Sequence, residues 1–428
     1  YIVVERERAF IKYGSFKTAF TDTELASYNR TLSGVQGSFE TLKSTVYGDP
    51  KSGIKFFGAH SQQLADHNEF AATGGSLYYT RFRGLIQGGE KLRVEVRDKI
   101  QDLVLHSYDL VEGQDYEIDY KEGRILLSKP LSSIAGSDTI ASNDILNGSP
   151  VFLIADYEYD AGPQAFENDD GGLRGYTHVG EHIRIGATGV KERRQNQDYD
   201  VRGIDATVKV GRNTKVSMEY AESKYEQTQE AVSYNGGLSF ANQSLLQGAT
   251  GTPDKAFLLK AESKPFKNFE TSGYIQGIHP RFSTDRTRSQ AGTEKYGYAA
   301  KYKFSPNLYA RYRFDTADAA RQILPLDVTG VSAPYETFKN HTGQIVYNNG
   351  LWLAETEYRR QFFDFPTVNL LPTLLYADQY KNVISEKVGR KFNDRILPYV
   401  KVQTTIDGKG NHQFGGGVRY DLNHQLAA

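Results

Sequence analysis

Lys295-Tyr296-Gly297-Tyr298-Ala299-Ala300-Lys301-Tyr302-Lys303-Phe304, the turn Ser305-Pro306-Asn307, and Leu308-Tyr309-Ala310-Arg311-Tyr312-Arg313-Phe314-Asp315 decide the reading of this chain. In the first run one parity reads Tyr, Tyr, Ala, Tyr, Phe, and the other Lys, Gly, Ala, Lys, Lys. Side chains alternate across a strand, so the two sets lie on opposite faces. Leu308, Ala310, Tyr312 and Phe314 repeat the apolar face beyond the turn, with Tyr309, Arg311, Arg313 and Asp315 opposite. The pair reads as an antiparallel hairpin with one greasy and one charged face.

The unit recurs on both sides. Ile204, Ala206, Val208 and Val210 alternate with Asp205, Thr207 and Lys209, then turn at Gly211-Arg212-Asn213-Thr214 into Val216, Met218 and Tyr220. Trp352, Ala354, Thr356 and Tyr358 alternate with Leu353, Glu355, Glu357 and Arg359, and Ile396, Pro398, Val400 and Val402 with Leu397, Tyr399, Lys401 and Gln403. Lys264–Asn268, Asn348-Asn349-Gly350 and Asn393-Asp394-Arg395 supply further tight turns. Between the hairpins run long polar links at 223–255, 281–294, 316–336 and 363–380. Short turns at one end and long loops at the other are the habit of outer-membrane barrels. At about 10 residues per strand, roughly 14 strands follow residue 172, and about 16–18 fill the whole chain. A soluble sandwich, solenoid or propeller also alternates, but a propeller repeats every ~40–50 residues, and no such repeat is visible.

Composition agrees. The 428 residues contain no Cys, one Met and one Trp beside 29 Tyr and 23 Phe; stray thiols would mispair in an oxidising periplasm. Lys and Arg (51) nearly cancel Asp and Glu (52), which argues against a nucleic-acid partner needing a broad basic face. Mean hydropathy is −0.55, and no run approaches the roughly 18 apolar residues of a spanning helix. A closed barrel tolerates this, because every second residue faces water. The expected class is therefore all-β, a transmembrane antiparallel barrel in a bacterial outer membrane, with lipid and lipopolysaccharide around it. The chain opens on Tyr1 without a signal peptide, as a processed chain or a piece of a longer one would. The run Gly415–Leu426 reads as a strand, a turn and an incomplete last strand.

The first part reads differently. Residues 1–74 are expected to hold the first barrel strands and an ordered loop. Residues 75–131 are expected to form a small inserted β-domain, with a Lys121-Glu122-Gly123 hairpin turn. Residues 132–149 form a flexible link, and 150–428 the main barrel strands. Tyr13-Gly14-Ser15-Phe16, Thr23-Glu24-Leu25, Tyr28, Arg30 and Leu32-Ser33-Gly34 resemble the opening of large Gram-negative outer-membrane barrel proteins, where Asp usually stands in place of Ser15. Val94–Asp98, Gly113–Tyr120 and Gly123-Arg124-Ile125 are similar to a small β-domain of those proteins and of the type IX secretion translocon. The resemblance implies a plug or a periplasmic cap and carries over no catalytic residue.

No nucleophile elbow, P-loop or zinc helix is present, so neither an enzyme nor a cofactor is expected. His178 and His182 flank a hairpin turn with no third ligand beside them. Glu167-Asn168-Asp169-Asp170 offers hard oxygen ligands for Ca²⁺, or simply a solvated loop. The informative chemistry is on the lumen parity, where Lys295, Lys301, Lys303, Arg311, Arg313, Glu355, Glu357 and Arg359 are expected to line a pore. Charge on a pore wall selects ions by sign, although such charges also neutralise one another across strands. One basic wall would favour anionic solutes. The expected function is a channel or transporter occluded by the inserted domain. The alternatives are a barrel that anchors periplasmic or surface proteins, and a surface receptor acting through 223–255.

Overall fold

The computed structural model describes all residues except 62, 98–103, 136–148, 161, 163–167, 195–196, 225–228, 245–251, 285, 321–334, 365–378, 393–394, 408–411, 423–425 and 428. Four strands open the chain: β1 (Ile2–Arg6), β2 (Ala9–Lys17), β3 (Thr31–Glu40) and β4 (Ser52–Ser61). Eight more then leave the main sheet: β5 (Gln63–Ala71), β6 (Leu77–Tyr79), β7 (Lys91–Arg97), β8 (Val104–Asp109), β9 (Tyr116–Asp119), β10 (Arg124–Leu127), β11 (Ile134–Ala135) and β12 (Ser149–Asp160). The main sheet resumes with β13 (Asn168–Val179), β14 (Ile183–Arg194), β15 (Gln197–Val210) and β16 (Thr214–Lys224). After the short β17 (Gln229–Ser233) and β18 (Ala241–Ser244) come β19 (Asp254–Phe266), β20 (Phe269–Ile278), β21 (Thr293–Ser305) and β22 (Leu308–Ala320). The chain finishes with β23 (Tyr335–Asn348), β24 (Trp352–Asp364), β25 (Gln379–Arg390), β26 (Ile396–Thr405), β27 (His412–Leu422) and the two-residue β28 (Leu426–Ala427).

Pairing follows the chain. β1 to β4 form antiparallel neighbours, β4 pairs with β13, β16 pairs with β19, and every later strand pairs with its successor. The quoted hairpin is β21–β22, with Lys301 opposite Arg311 and Tyr298 opposite Phe314. Its two parities separate as the alternation requires. Tyr296, Tyr298, Tyr302 and Tyr312 are exposed on the outer face, as are Ile204, Met218, Ile275, Ile345, Tyr358 and Val400 elsewhere in the sheet.

Much of two expected links, 316–336 and 363–380, falls outside the described residues, as do Glu167, Asn393-Asp394 and 136–148 of the expected flexible link. Asn168, Asp169 and Asp170 are not a loop. They open β13 and pair with Ser61, His60 and Ala59 of β4.

The inserted unit differs from 75–131. β5 and β12 pair along their length, and β7 pairs on the other side of β12. Residues 63–71 and 149–160 therefore belong with the insertion rather than with the main strands. β17 adds in parallel to β5, and β18 pairs with β17, so part of 223–255 joins the same sheet. The Tyr79 amide donates to the Gly236 carbonyl at 2.9 Å. At Gly237 (φ +96°) a Cβ would lie 1.8 Å from the Tyr79 carbonyl oxygen, so only glycine allows this approach. The three-stranded sheet β6–β10–β9 covers one face of the larger one. Phe70, Tyr78, Leu92, Val94, Ile125 and Leu153 are buried between the two sheets. Gly123 (φ +66°) turns β9 into β10, as Lys121-Glu122-Gly123 predicts.

A second core lies on the inner face of the main sheet. The β2–β3 link folds inward, burying Phe20, Leu25 and Tyr28 against Phe57, Tyr199 and Val201. Tyr28 stacks on Phe57 with ring centroids 5.4 Å apart. This is the ordered loop of the amino-terminal reading, and its Thr23-Glu24-Leu25 and Tyr28 are what hold it.

Candidate functional site

Register decides which charges meet. On the inner face Lys301 of β21 lies opposite Arg311 of β22, Arg311 opposite Gln344 of β23, and Gln344 opposite Glu357 of β24. One step along the strands, Arg313 lies opposite Thr342 and Thr342 opposite Arg359. Like charges directly opposite one another destabilise a sheet, so Lys301 beside Arg311 is not explained by strand pairing. These rows border a cavity of ≈ 2150 Å³ between the inner face and the insertion. Among the described residues its lining holds thirteen Lys and Arg against seven Asp and Glu, whereas the whole chain carries a formal charge of −1. The cavity is a local concentration of positive charge.

Five of the eight expected pore residues line it: Lys295, Lys301, Arg311, Arg313 and Arg359. The Lys295 ammonium donates to Gln290 Oε1 at 2.6 Å, and Lys301 sits over the Tyr309 ring at 4.5 Å. Arg311 donates to Gln344, and Arg313 Nε to Asp315 Oδ2 at 2.5 Å. The other three share the inner parity but stand outside the lining. Lys303 lies 4.0 Å from Glu270, close to the β21–β22 turn. Glu355 pairs with Lys387 at 3.4 Å. Glu357 is completely buried, accepting from Gln344 Nε2 at 2.6 Å with Arg359 Nη2 3.0 Å away.

Parity also reached Lys209 and Lys215, without assigning them a role; both lie on the inner face toward the short-turn end, with Arg212 in the β15–β16 turn, and Lys264, expected in a turn, instead belongs to β19 and lines the cavity there. The roof was not legible. It is formed by the insertion, through Arg93, Glu95, His106, Tyr108 and Asp109.

Ion pairs seat the insertion against the main sheet. Buried Arg30 donates Nε to Glu158 of β12 at 3.0 Å and Nη1 to Glu192 of β14, joining the two sheets through one guanidinium. The Thr31 amide donates to the same Glu158 oxygen at 3.0 Å, and Tyr28 Oη to Glu192 at 3.0 Å. Glu219 of β16 accepts from the Glu24 and Leu25 amides, both at 2.8 Å. From the β20–β21 link, Arg286 reaches Asp109 of β8 at 2.9 Å.

The insertion's second face is charged. His67 Nδ1 is 2.6 Å from Asp156, Arg93 Nε 2.8 Å from Glu95, and Arg97 Nη2 2.8 Å from both Glu69 and Glu95. Burial by itself would lower the His67 pKa, but the Asp156 carboxylate overrides it and raises it to about 10. Burial likewise opposes ionisation of Glu69 and Asp156, yet Arg97 holds the first and His67 the second well below the usual carboxylate range. For Glu158 burial wins, and its carboxyl titrates above the usual range despite Arg30.

The histidine pair has a structural explanation. His182 Nδ1 is 2.8 Å from Tyr47 Oη and 3.0 Å from the Lys209 carbonyl, and His178 Nδ1 is 3.3 Å from the Lys51 carbonyl. Both tie strand turns together.

No family model matches this chain, and no curated protein matches it. Among solved structures it is similar to the FrpB iron transporter from Neisseria meningitidis (F3-3 variant), with 10% identity over 96% of this chain and 78% of that one and a TM-score of 0.31. Likeness at that level carries no argument about what this chain does, and nothing in these comparisons bears on the resemblance of the small domain to the type IX translocon.

Proposed function

We propose that this chain forms a transmembrane β-barrel of a bacterial outer membrane, with the insertion as a plug and an anion-accepting cavity beneath it. The observation that carries the reading is the excess of cations around the cavity. The face turned away from it supports the membrane setting, since Ile275, Tyr298, Ile345 and Tyr358 lie exposed with nothing over them; exposed apolar area on that scale marks contact with something apolar. Closure of the sheet belongs to the proposal, because lipid offers no partner to an unpaired strand edge.

Short turns face the periplasm in such barrels. Ser61 and Asn168, where the insertion leaves and rejoins the sheet, stand at the opposite, long-link end. The plug is thus rooted on the outer side, and the cavity opens toward the periplasm past Arg212 and Lys264. Focused positive potential raises the local concentration of anions.

Recording in planar lipid bilayers tests this. The intact chain is expected to pass little current, selective for anions. Because Ser61 and Asn168 are paired, a short turn can replace 62–167, and that variant is expected to conduct more with the same selectivity. Cation selectivity would overturn the reading. Unchanged conductance in the deletion variant would favour an assembly role, with the insertion docking a protein partner.

A further inference from the structure

Within the cavity one guanidinium lacks the partners its burial demands. Arg359 is only 5% exposed, yet its Nε has no hydrogen-bond partner and its Nη2 meets only the Glu357 carboxylate, 3.0 Å away. Asn340 Oδ1 and Gln361 Oε1 are also buried without a donor. Asn340 and Gln361 face each other across β23 and β24, Gln361 is two residues from Arg359 on the same face, and all three line the cavity.

A buried polar group without a partner is costly, and more so when it is charged. The unpartnered Nε–H and the second N–H of Nη2 form the side-on fork that matches the two oxygens of a carboxylate, which Arg binds with a geometry Lys cannot reproduce. The two orphan oxygens beside them accept from hydroxyl donors. Arg313, opposite Thr342 in the row that contains Arg359, adds positive charge on the approach.

We propose that Arg359, Asn340 and Gln361 form a subsite for hydroxylated carboxylates of the sugar-acid class. The assignment rests on the reading of the inner face as solute-facing. Calorimetric titration of the full chain in detergent tests it, with glucuronate, glucose and inorganic sulfate as probes.

Glucuronate is expected to bind saturably and glucose not at all. Arg359→Gln is expected to weaken glucuronate by about tenfold or more, the scale of one charge-assisted hydrogen bond. Arg359→Lys, which keeps the charge and loses the fork, should weaken it as well. Asn340→Ala should weaken glucuronate while leaving sulfate unchanged. Absence of glucuronate binding, or equal affinity in Arg359→Gln, would overturn the subsite and leave water as the partner of these atoms. If Arg359→Gln does not fold, Asn340→Ala and Gln361→Ala carry the same test. Anion selectivity without glucuronate binding would sink the subsite alone, and glucuronate binding with cation selectivity would sink the channel reading alone.

Discussion

The two faces of the main sheet reverse the arrangement of a soluble protein. On β24, Tyr358 is 44% exposed on the outer side, while its neighbours Glu357 and Arg359 are 0% and 5% exposed on the inner side. In water the aromatic would turn in and the charges out. Here charge is enclosed on one side, and apolar surface is presented on the other with nothing over it. On the proposed reading the two faces meet different solvents, so each should punish a different kind of substitution.

The inner face should be broken most severely by removing one member of a buried pair. Arg30→Ala would leave Glu158 and Glu192 without their shared cation, and a broken buried pair costs about 3–5 kcal/mol. Denaturant unfolding in detergent should show that loss, together with faster proteolysis of the insertion. An unchanged midpoint would mean that Arg30 does not seat it.

On the outer face the damaging change is an added charge. Tyr298→Arg, at mid-strand of β21, should cost about 2–4 kcal/mol in lipid vesicles, as charges do on the lipid side of a barrel. Ala299→Arg, one residue along and facing the cavity, should cost clearly less. Equal costs would erase the distinction between the faces.

Period-two alternation made the strands of the main sheet legible because each of its faces is uniform along the strand. In β21 and β22 it identified the outer aromatics and the inner cations residue by residue. The same rule misled at the insertion. Val151–Tyr159 alternates like a wall strand, but one side enters a buried core and the other an ion-pair network. β5 follows β4 after a single residue, so no punctuation marks the point where the chain leaves the wall. β17 and β18 join by backbone pairing, which leaves little trace in side-chain pattern. For the cavity, parity reached Lys295, Lys301, Arg311, Arg313 and Arg359. It could not separate them from Lys303, Glu355 and Glu357, because that depends on register and on what the insertion covers. The unpartnered atoms of Arg359, Asn340 and Gln361 arise only once three strands are aligned.

The charged face of the insertion gives a smaller, pH-dependent effect. His67, with its pKa raised to about 10, contributes stability fully below its unfolded pKa of about 6.5 and loses it as pH rises through about 10. Glu69 and Asp156, held low, contribute above about pH 4 and lose their part as pH falls below it. The melting-temperature gap between the wild type and His67→Gln should therefore shrink as pH rises from about 6.5 to 10. A gap constant with pH would contradict a buried imidazolium.

The smallest effect separates apolar contact from polar detail on the outer face. Tyr302→Phe removes only an outward hydroxyl and should change stability by no more than about 0.5 kcal/mol. A larger loss would mean that this hydroxyl has a partner of its own.

The absence of cysteine makes the central claim directly measurable. Single spin labels attached through Tyr298→Cys and Ala299→Cys, with the chain in lipid vesicles, report collision with oxygen, which concentrates in lipid, and with a nickel chelate, which stays in water. The label at 298 is predicted to meet oxygen and the label at 299 the chelate. Equal access of the chelate to both positions would contradict a sheet with one face in lipid and the other on an aqueous, cation-lined cavity.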